Sequence, residues 1–353
     1  MMIDTSNSIL WEEIHKQPES IEACLNKNHD LIKKIAKEVN DRKIKTVVFV
    51  GRGSSDHANL VGRYLFETYC GFVASISAPS VVTAYNGNID YSNVLMIAVS
   101  QSGGAEDIYR VMKKCDEDGG ICVCVTNTPK SRMTEAGKYH IYNGIGKERS
   151  ITAAKSYLTQ VLINTALAAY ISGNKDLLKT VKDSKKLVEK AIKVVEPQVF
   201  DIVKYFRNTE HMLIFGRGLM DAIGNEAELK IQETSYLDAR CYGSADYRHG
   251  PVATSLRFVP CIFFIADKAT DYCAVDLHKR LKEETNIWSA IVTNKKEIAE
   301  MADASVLLPK EFDGVYGMWG VIIFSQMFAC LCSLSRGFDP DNPKGVSKKT
   351  VTI

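Results

Sequence analysis

Lysine and arginine never gather into a long basic run in this chain, whose 353 residues carry a formal net charge of only +2. Without such a run there is no electrostatic footprint for nucleic acid or for an anionic membrane surface. No CxxC pair occurs and no histidine has a second one at ligand spacing, so no metal is expected. No apolar stretch is read as reaching the eighteen or so residues of a membrane span. The opening MMIDTSNSILWEEIHKQPES lacks the basic and apolar parts of a secretion signal, which makes a cytoplasmic location the expectation. Cysteine is not scarce, but the ten present lie in apolar runs such as ICVCV (121–125) and CLC (330–332). They read as reduced core thiols, with Cys122 and Cys124 expected on opposite faces of one strand.

What the chain does have is an internal repeat. VVFVGRGSSDHANL (47–60) returns as MLIFGRGLMDAIGN (212–225), and the two Gly-Arg-Gly triplets start at Gly51 and Gly216, 165 positions apart. The ending VTN recurs at 125–127 and 292–294, 167 apart. Each half reads as buried strands alternating with amphipathic helices, and the apolar segments VLMIAVS and PCIFFIA suit strands covered on both faces. The expected fold is α/β, a doubly wound parallel sheet flanked by helices and built twice. The lysine-rich helical segment before Pro197 reads as a linker, which sets the expected domains at 1–194 and 195–353. The helical N-terminal forty residues are expected to cover the first sheet.

The halves differ in chemistry at the loops that follow their strands, where such sheets bind ligands. In the first half GRGSSD (51–56) and SQSGGAED (100–107) offer serine hydroxyls, a glutamine and free backbone N–H groups at helix N-termini. Together they suit a phosphate cradle without a Walker lysine. Each of Ser54, Ser55, Ser100 and Ser102 alone also reads as a helix cap. Asp56 stands where GxGxxG would need its third glycine, which favours a sugar phosphate over a dinucleotide. The second half has carboxylates instead: Glu226, Lys230 and Glu233 stand at i, i+4 and i+7 on one helix face, a spacing that salt-bridged solvent faces share. RHGP follows, with His249 ahead of a glycine and a proline.

From WEEIHKQPES through RYLFE, SQSGG, AAKSYLTQ, ELKIQETSY and YRHGP to DPDNPKGVSKKTVTI, the chain resembles the sugar isomerase (SIS) family, and within it the isomerase half of glucosamine-6-phosphate synthase. The resemblance implies two tandem SIS units, with Ser54, Ser55, Ser100, Gln101 and Ser102 around a sugar 6-phosphate. Glu148 and Lys155 flank the loop that closes the first unit's side. It further implies Glu233 as acid/base, His249 as the ring-opening residue, Glu226 and Lys230 in support, and Lys348, beside Lys349, as the lysine that forms an imine with a ketose. Ala105 stands where the family has a phosphate-binding threonine, and ITAAK (151–155) replaces a stretch rich in serine and threonine. No glutaminase half precedes the sequence, so glutamine hydrolysis is not expected. The activity implied is that of a phosphosugar isomerase/deaminase turning glucosamine 6-phosphate into fructose 6-phosphate and ammonia. The alternatives are a fructosamine 6-phosphate deglycase and a non-catalytic sugar-phosphate sensor. No cofactor, nucleic acid or membrane partner is implied, and the family's habit is a homodimer with composite active sites.

Overall fold

The computed structural model describes residues 3–256 and 259–347. In chain order the first elements are α1 (Ile9–His15), α2 (Gln17–Asp41), β1 (Thr46–Val50), α3 (Ser54–Leu65), β2 (Val73–Ile76) and α4 (Ser80–Thr83). They continue as β3 (Leu95–Ser100), α5 (Glu106–Glu117), β4 (Ile121–Thr126), β5 (Tyr139–Tyr142), α6 (Lys155–Ser172) and α7 (Lys175–Val203). The remainder comprises β6 (His211–Gly216), α8 (Leu219–Ser235), β7 (Asp238–Gly243), β8 (Cys261–Ile265) and α9 (Asp271–Thr285). Last come β9 (Ser289–Thr293), α10 (Lys296–Ala299), β10 (Ala304–Leu307) and α11 (Gly317–Ser335).

Two five-stranded sheets result, ordered β2-β1-β3-β4-β5 and β7-β6-β8-β9-β10, with every pairing parallel. Strand for strand these are one topology used twice, so the repeat in sequence is a repeat in fold. The central strands β3, β4 and β8 are buried along almost their whole length, as helices on both sheet faces require. Contacts divide the chain into a first unit of residues 19–148, 155–183 and Ser347, and a second of 3–18, 149–154 and 184–346. The expected break near residue 195 lies inside α7, which continues through Pro197. Proline removes one helical N–H, and the buried stripe Ile192, Val195, Val199 and Ile202 carries the helix past it. Of the N-terminal segments, α2 belongs to the first unit from residue 19 onward, and α1 packs against α11 in the second.

Two sequence expectations need correction. Cys122 and Cys124 share one face of β4 and enter the same core cluster beside Met112 and Cys115, because side chains two apart on a strand point the same way. A helix long and apolar enough to cross a membrane does exist: the nineteen residues of α11, with 94% of its apolar window buried inside the protein. It packs on α8 as a core helix.

The Gly-Arg-Gly frame is repeated for a backbone reason. Gly53 (φ 54°, ψ −131°) and Gly218 (φ 64°, ψ −128°) occupy the same N-cap position of α3 and α8, in a region of backbone space that suits glycine. A Cβ on Gly216 would lie 2.5 Å from the backbone of Met220 and Asp221, and one on Gly51 would meet Asn59 Nδ2 at 2.8 Å. Gly216→Ala is therefore expected to destabilise the protein by about 2–3 kcal/mol, the cost of overpacking against atoms that cannot rotate away. Urea denaturation checks it, and an unchanged midpoint would refute the close approach.

Candidate functional site

In the first unit the chain leaves β1 and β3 through the two hydroxyl-bearing loops and enters α3 and α5. Ser54 and Ser55 open α3, with Ser55 buried. Ser100 Oγ accepts from the Gly103 N–H at 3.1 Å and Ser102 Oγ from the Gly104 N–H at 3.4 Å, so both hydroxyls shape their own loop while keeping further bonding capacity. The backbone carbonyl of Gln101 accepts from the Asn127 N–H at 3.1 Å. Gly103, at φ 64°, makes the turn that presents the loop.

Arg52 and Asp107 are functional candidates that the sequence reading missed. The guanidinium donates through Nε (3.2 Å) and Nη2 (2.6 Å) to Asp107 Oδ2, tying the loop after β1 to the start of α5. The only hint in sequence was arginine between the glycines in both copies. Glu148 is placed as a cap: it accepts from the Ser156 N–H (2.9 Å) and hydroxyl (2.7 Å) at the start of α6. Lys155 is buried, with Nζ 3.5 Å from the Lys147 carbonyl.

In the second unit α8 brings the acid/base candidates together as the helical spacing requires. Lys230 Nζ lies 2.7 Å from Glu233 Oε2 and 3.5 Å from Glu226 Oε1. The side chains of Lys230 and Glu226 are each 2% exposed, whereas that of Glu233 is 20% exposed. This array is not a solvated salt-bridge face: one carboxylate and the ammonium are interior, and the other carboxylate alone reaches solvent. The segment 149–154 packs beside it. Thr152 and Ala153 line a small void with Lys230 and Gln326, and Gln326 of α11 donates to the Ala154 carbonyl at 3.3 Å.

His249 ends a short 3-10 turn, Asp246–His249, and is exposed with no hydrogen bond among the described residues. The turn is pinned by Tyr247, whose ring meets Phe215 edge-on at 4.7 Å and whose hydroxyl bonds Ser255 Oγ at 2.6 Å. Gly250, at φ 153°, provides a backbone bend that favours glycine. Lys348 and Lys349 lie outside the described residues. Among the described residues no three His, Cys, Asp or Glu side chains converge as metal ligands would.

Asp221, the repeat partner of Asp56, behaves differently from an ordinary carboxylate. Burial pushes it up to about 6, with the nearby Asp246 carboxylate adding to the rise, while the Cys241 thiol and Arg217 oppose it. A group whose folded value exceeds its unfolded 3.8 keeps its proton longer in the folded state, so stability falls as pH rises between about 4 and 6. Asp221→Asn is thus expected to stabilise the protein at pH 7–8 by at most about 3 kcal/mol, with the gain gone at pH 4. Paired urea titrations at the two pH values decide it.

Comparisons with known proteins bear on the fold that carries these residues. Residues 42–170 match the SIS domain, so the chain carries a SIS domain over that span. Over 98% of its length it is 26% identical to a glutamine–fructose-6-phosphate aminotransferase (isomerizing) of Thermococcus kodakarensis, covering 58% of that protein. The chain thus spans a little under three fifths of such relatives. Among solved structures, the C-terminal domain of glucosamine-fructose-6-phosphate aminotransferase from Francisella tularensis superposes with a TM-score of 0.83 at 22% identity, covering 97% of this chain and all of that one. A glucosamine-6-phosphate deaminase from Thermotoga maritima does so with a TM-score of 0.71 at 21% identity, covering 98% of this chain and all of that one. Both structural likenesses are of fold, and they extend through the second unit.

Proposed function

We propose that the protein is a phosphosugar isomerase/deaminase that converts glucosamine 6-phosphate and water into fructose 6-phosphate and ammonia. The observation that carries this reading is the α8 array, an interior Lys230 holding Glu233 at 2.7 Å with only Glu233 open to solvent. A single carboxylate held in this way can take a proton from one carbon and return it to the next.

In the proposed sequence His249 moves a proton between ring oxygen and C1 hydroxyl to open the sugar, a role suited to imidazole. Glu233 then removes the C2 proton and delivers it to C1, while the C1 oxygen gains a proton and the amine nitrogen gives one up, which leaves an imine at C2 and a hydroxyl at C1. Water adds to that imine and ammonia departs. Lys230 orients Glu233, and Glu226 fixes Lys230 from the interior side. Ser55, Ser100, Gln101 and Ser102, with backbone N–H groups, would receive the phosphate and supply orientation rather than chemistry. Arg52 and Asp107 would keep the two loops in register. No cofactor enters these steps. A cytoplasmic homodimer is the setting the reading carries with it.

The test is ammonia release, with fructose 6-phosphate measured alongside, from purified protein and glucosamine 6-phosphate. Equimolar formation of both supports the reading. Turnover of a fructosamine 6-phosphate with none of glucosamine 6-phosphate would replace it by the deglycase, and binding without turnover of either would leave the sensor.

A further inference from the structure

The VTN ending of the repeat has no part in that chemistry, and its two copies differ by one hydrogen bond. Asn127, after β4, donates through Nδ2 to the Gly146 carbonyl at 2.6 Å and accepts through Oδ1 from the Ile145 N–H at 3.3 Å. Asn294, after β9, repeats the first bond, with Nδ2 on the Lys310 carbonyl at 3.1 Å. Its Oδ1 has no hydrogen-bond donor. Asn294 is only 9% exposed, and an interior acceptor left open in this way costs about 1–3 kcal/mol. The first unit's loop makes two bonds to its asparagine, whereas the second unit's loop makes one.

Asn294 is one of the residues lining an open cleft of about 830 Å³ at the carboxyl ends of β8, β9 and β10. That size suits a small-molecule ligand, and that edge is where doubly wound sheets bind one. Lys268, Lys296 and Lys310 stand around it, with the carboxylates of Glu297 and Asp313 in the same lining. Lys310 has no ion pair among the described residues, Lys296 meets only Glu300 at 3.7 Å, and Lys268 reaches Asp313 at 4.0 Å. Lys295, by contrast, is committed to Asp271. Leu307, 38% exposed, and Pro309 give the cleft an apolar side.

We infer that this cleft binds a nucleoside phosphate. The three weakly held ammonium groups take the phosphates, and Leu307 and Pro309 take a face of the ring system. The site uses residues of the second unit alone, none of them assigned to the sugar chemistry, so the inference stands apart from the proposed function.

The probe is ADP, titrated by calorimetry, with pyrophosphate and adenosine as partial probes. Wild type should bind one ADP per chain in this cleft. Lys268→Gln/Lys310→Gln should weaken it at least tenfold without changing ammonia release, and Ser55→Ala/Ser102→Ala should leave it intact. The inference is overturned if ADP does not bind, if the lysine pair has no effect, or if the serine pair abolishes binding, which would place ADP on the first unit's loops. Pyrophosphate binding as tightly as ADP would overturn the nucleoside assignment.

Discussion

Glu233→Gln is expected to release ammonia from glucosamine 6-phosphate at least about a hundredfold more slowly than wild type, because positioned proton transfer contributes 10²–10⁴-fold. The substitution keeps the shape of the side chain and an oxygen that can still accept from Lys230, now 2.7 Å away. It removes only the ability to carry a proton. Folding should therefore be nearly unchanged, and kcat should fall while KM moves little, since the phosphate loops are untouched. Steady-state ammonia assays on both proteins, with melting curves as the control, make the comparison. A variant that turns over at the wild-type rate would take proton transfer away from Glu233 and leave α8 as scaffold.

Lys230→Met should have the largest effect on stability. The ammonium is the shared partner of two carboxylates, and its side chain and that of Glu226 are each 2% exposed. Methionine fills much of the same volume but leaves the Glu226 carboxylate in the interior without the nearby ammonium. Removing one member of a buried ion pair costs about 3–5 kcal/mol. The expected result is a drop of that order in urea denaturation, together with a loss of activity as Glu233 loses its anchor. Lys230→Met/Glu226→Gln should recover part of the stability and none of the activity, because the second change removes the stranded charge without restoring the anchor. If the single variant is as stable as wild type, the interior array does not support α8 as described.

The legible parts of the fold share a physical signature. Strands β1, β3, β4, β6, β8 and β9 are inner or near-inner strands with continuous apolar sequence, such as LMIAVS and CIFFI, and two-sided burial writes such runs. The strands that were not read, β5 (YHIY), β7 (DARCYG) and β10 (ASVL), are all sheet edges. An edge strand is short and partly exposed, so its composition resembles that of a loop. The missed α11 helix has a related cause: its scattered polar residues, Ser325, Gln326, Ser333 and Ser335, hide a nineteen-residue helix from a search for unbroken apolar sequence. Pro197 misled in the opposite direction, because a strong local breaker yields where a buried stripe continues past it.

For the candidate site, spacing alone placed Glu226, Lys230 and Glu233 on one helix face, and α8 has them there. Their separation into interior and solvent-reaching members could not be read from spacing, because burial depends on α11 and segment 149–154, distant in sequence. The Arg52–Asp107 tie and the open Asn294 acceptor are of the same kind. By itself the sequence determined the repeated topology, the glycine turns and the residue types offered at each loop, since these depend on short-range backbone geometry and hydrophobic period. Only the tertiary structure decided which carboxylate reaches solvent, which serine hydroxyls shape their own loop, and which of two identical VTN endings is left open. The exposure of the carboxylates and the open VTN ending are set by partners distant along the chain, where no local pattern records them.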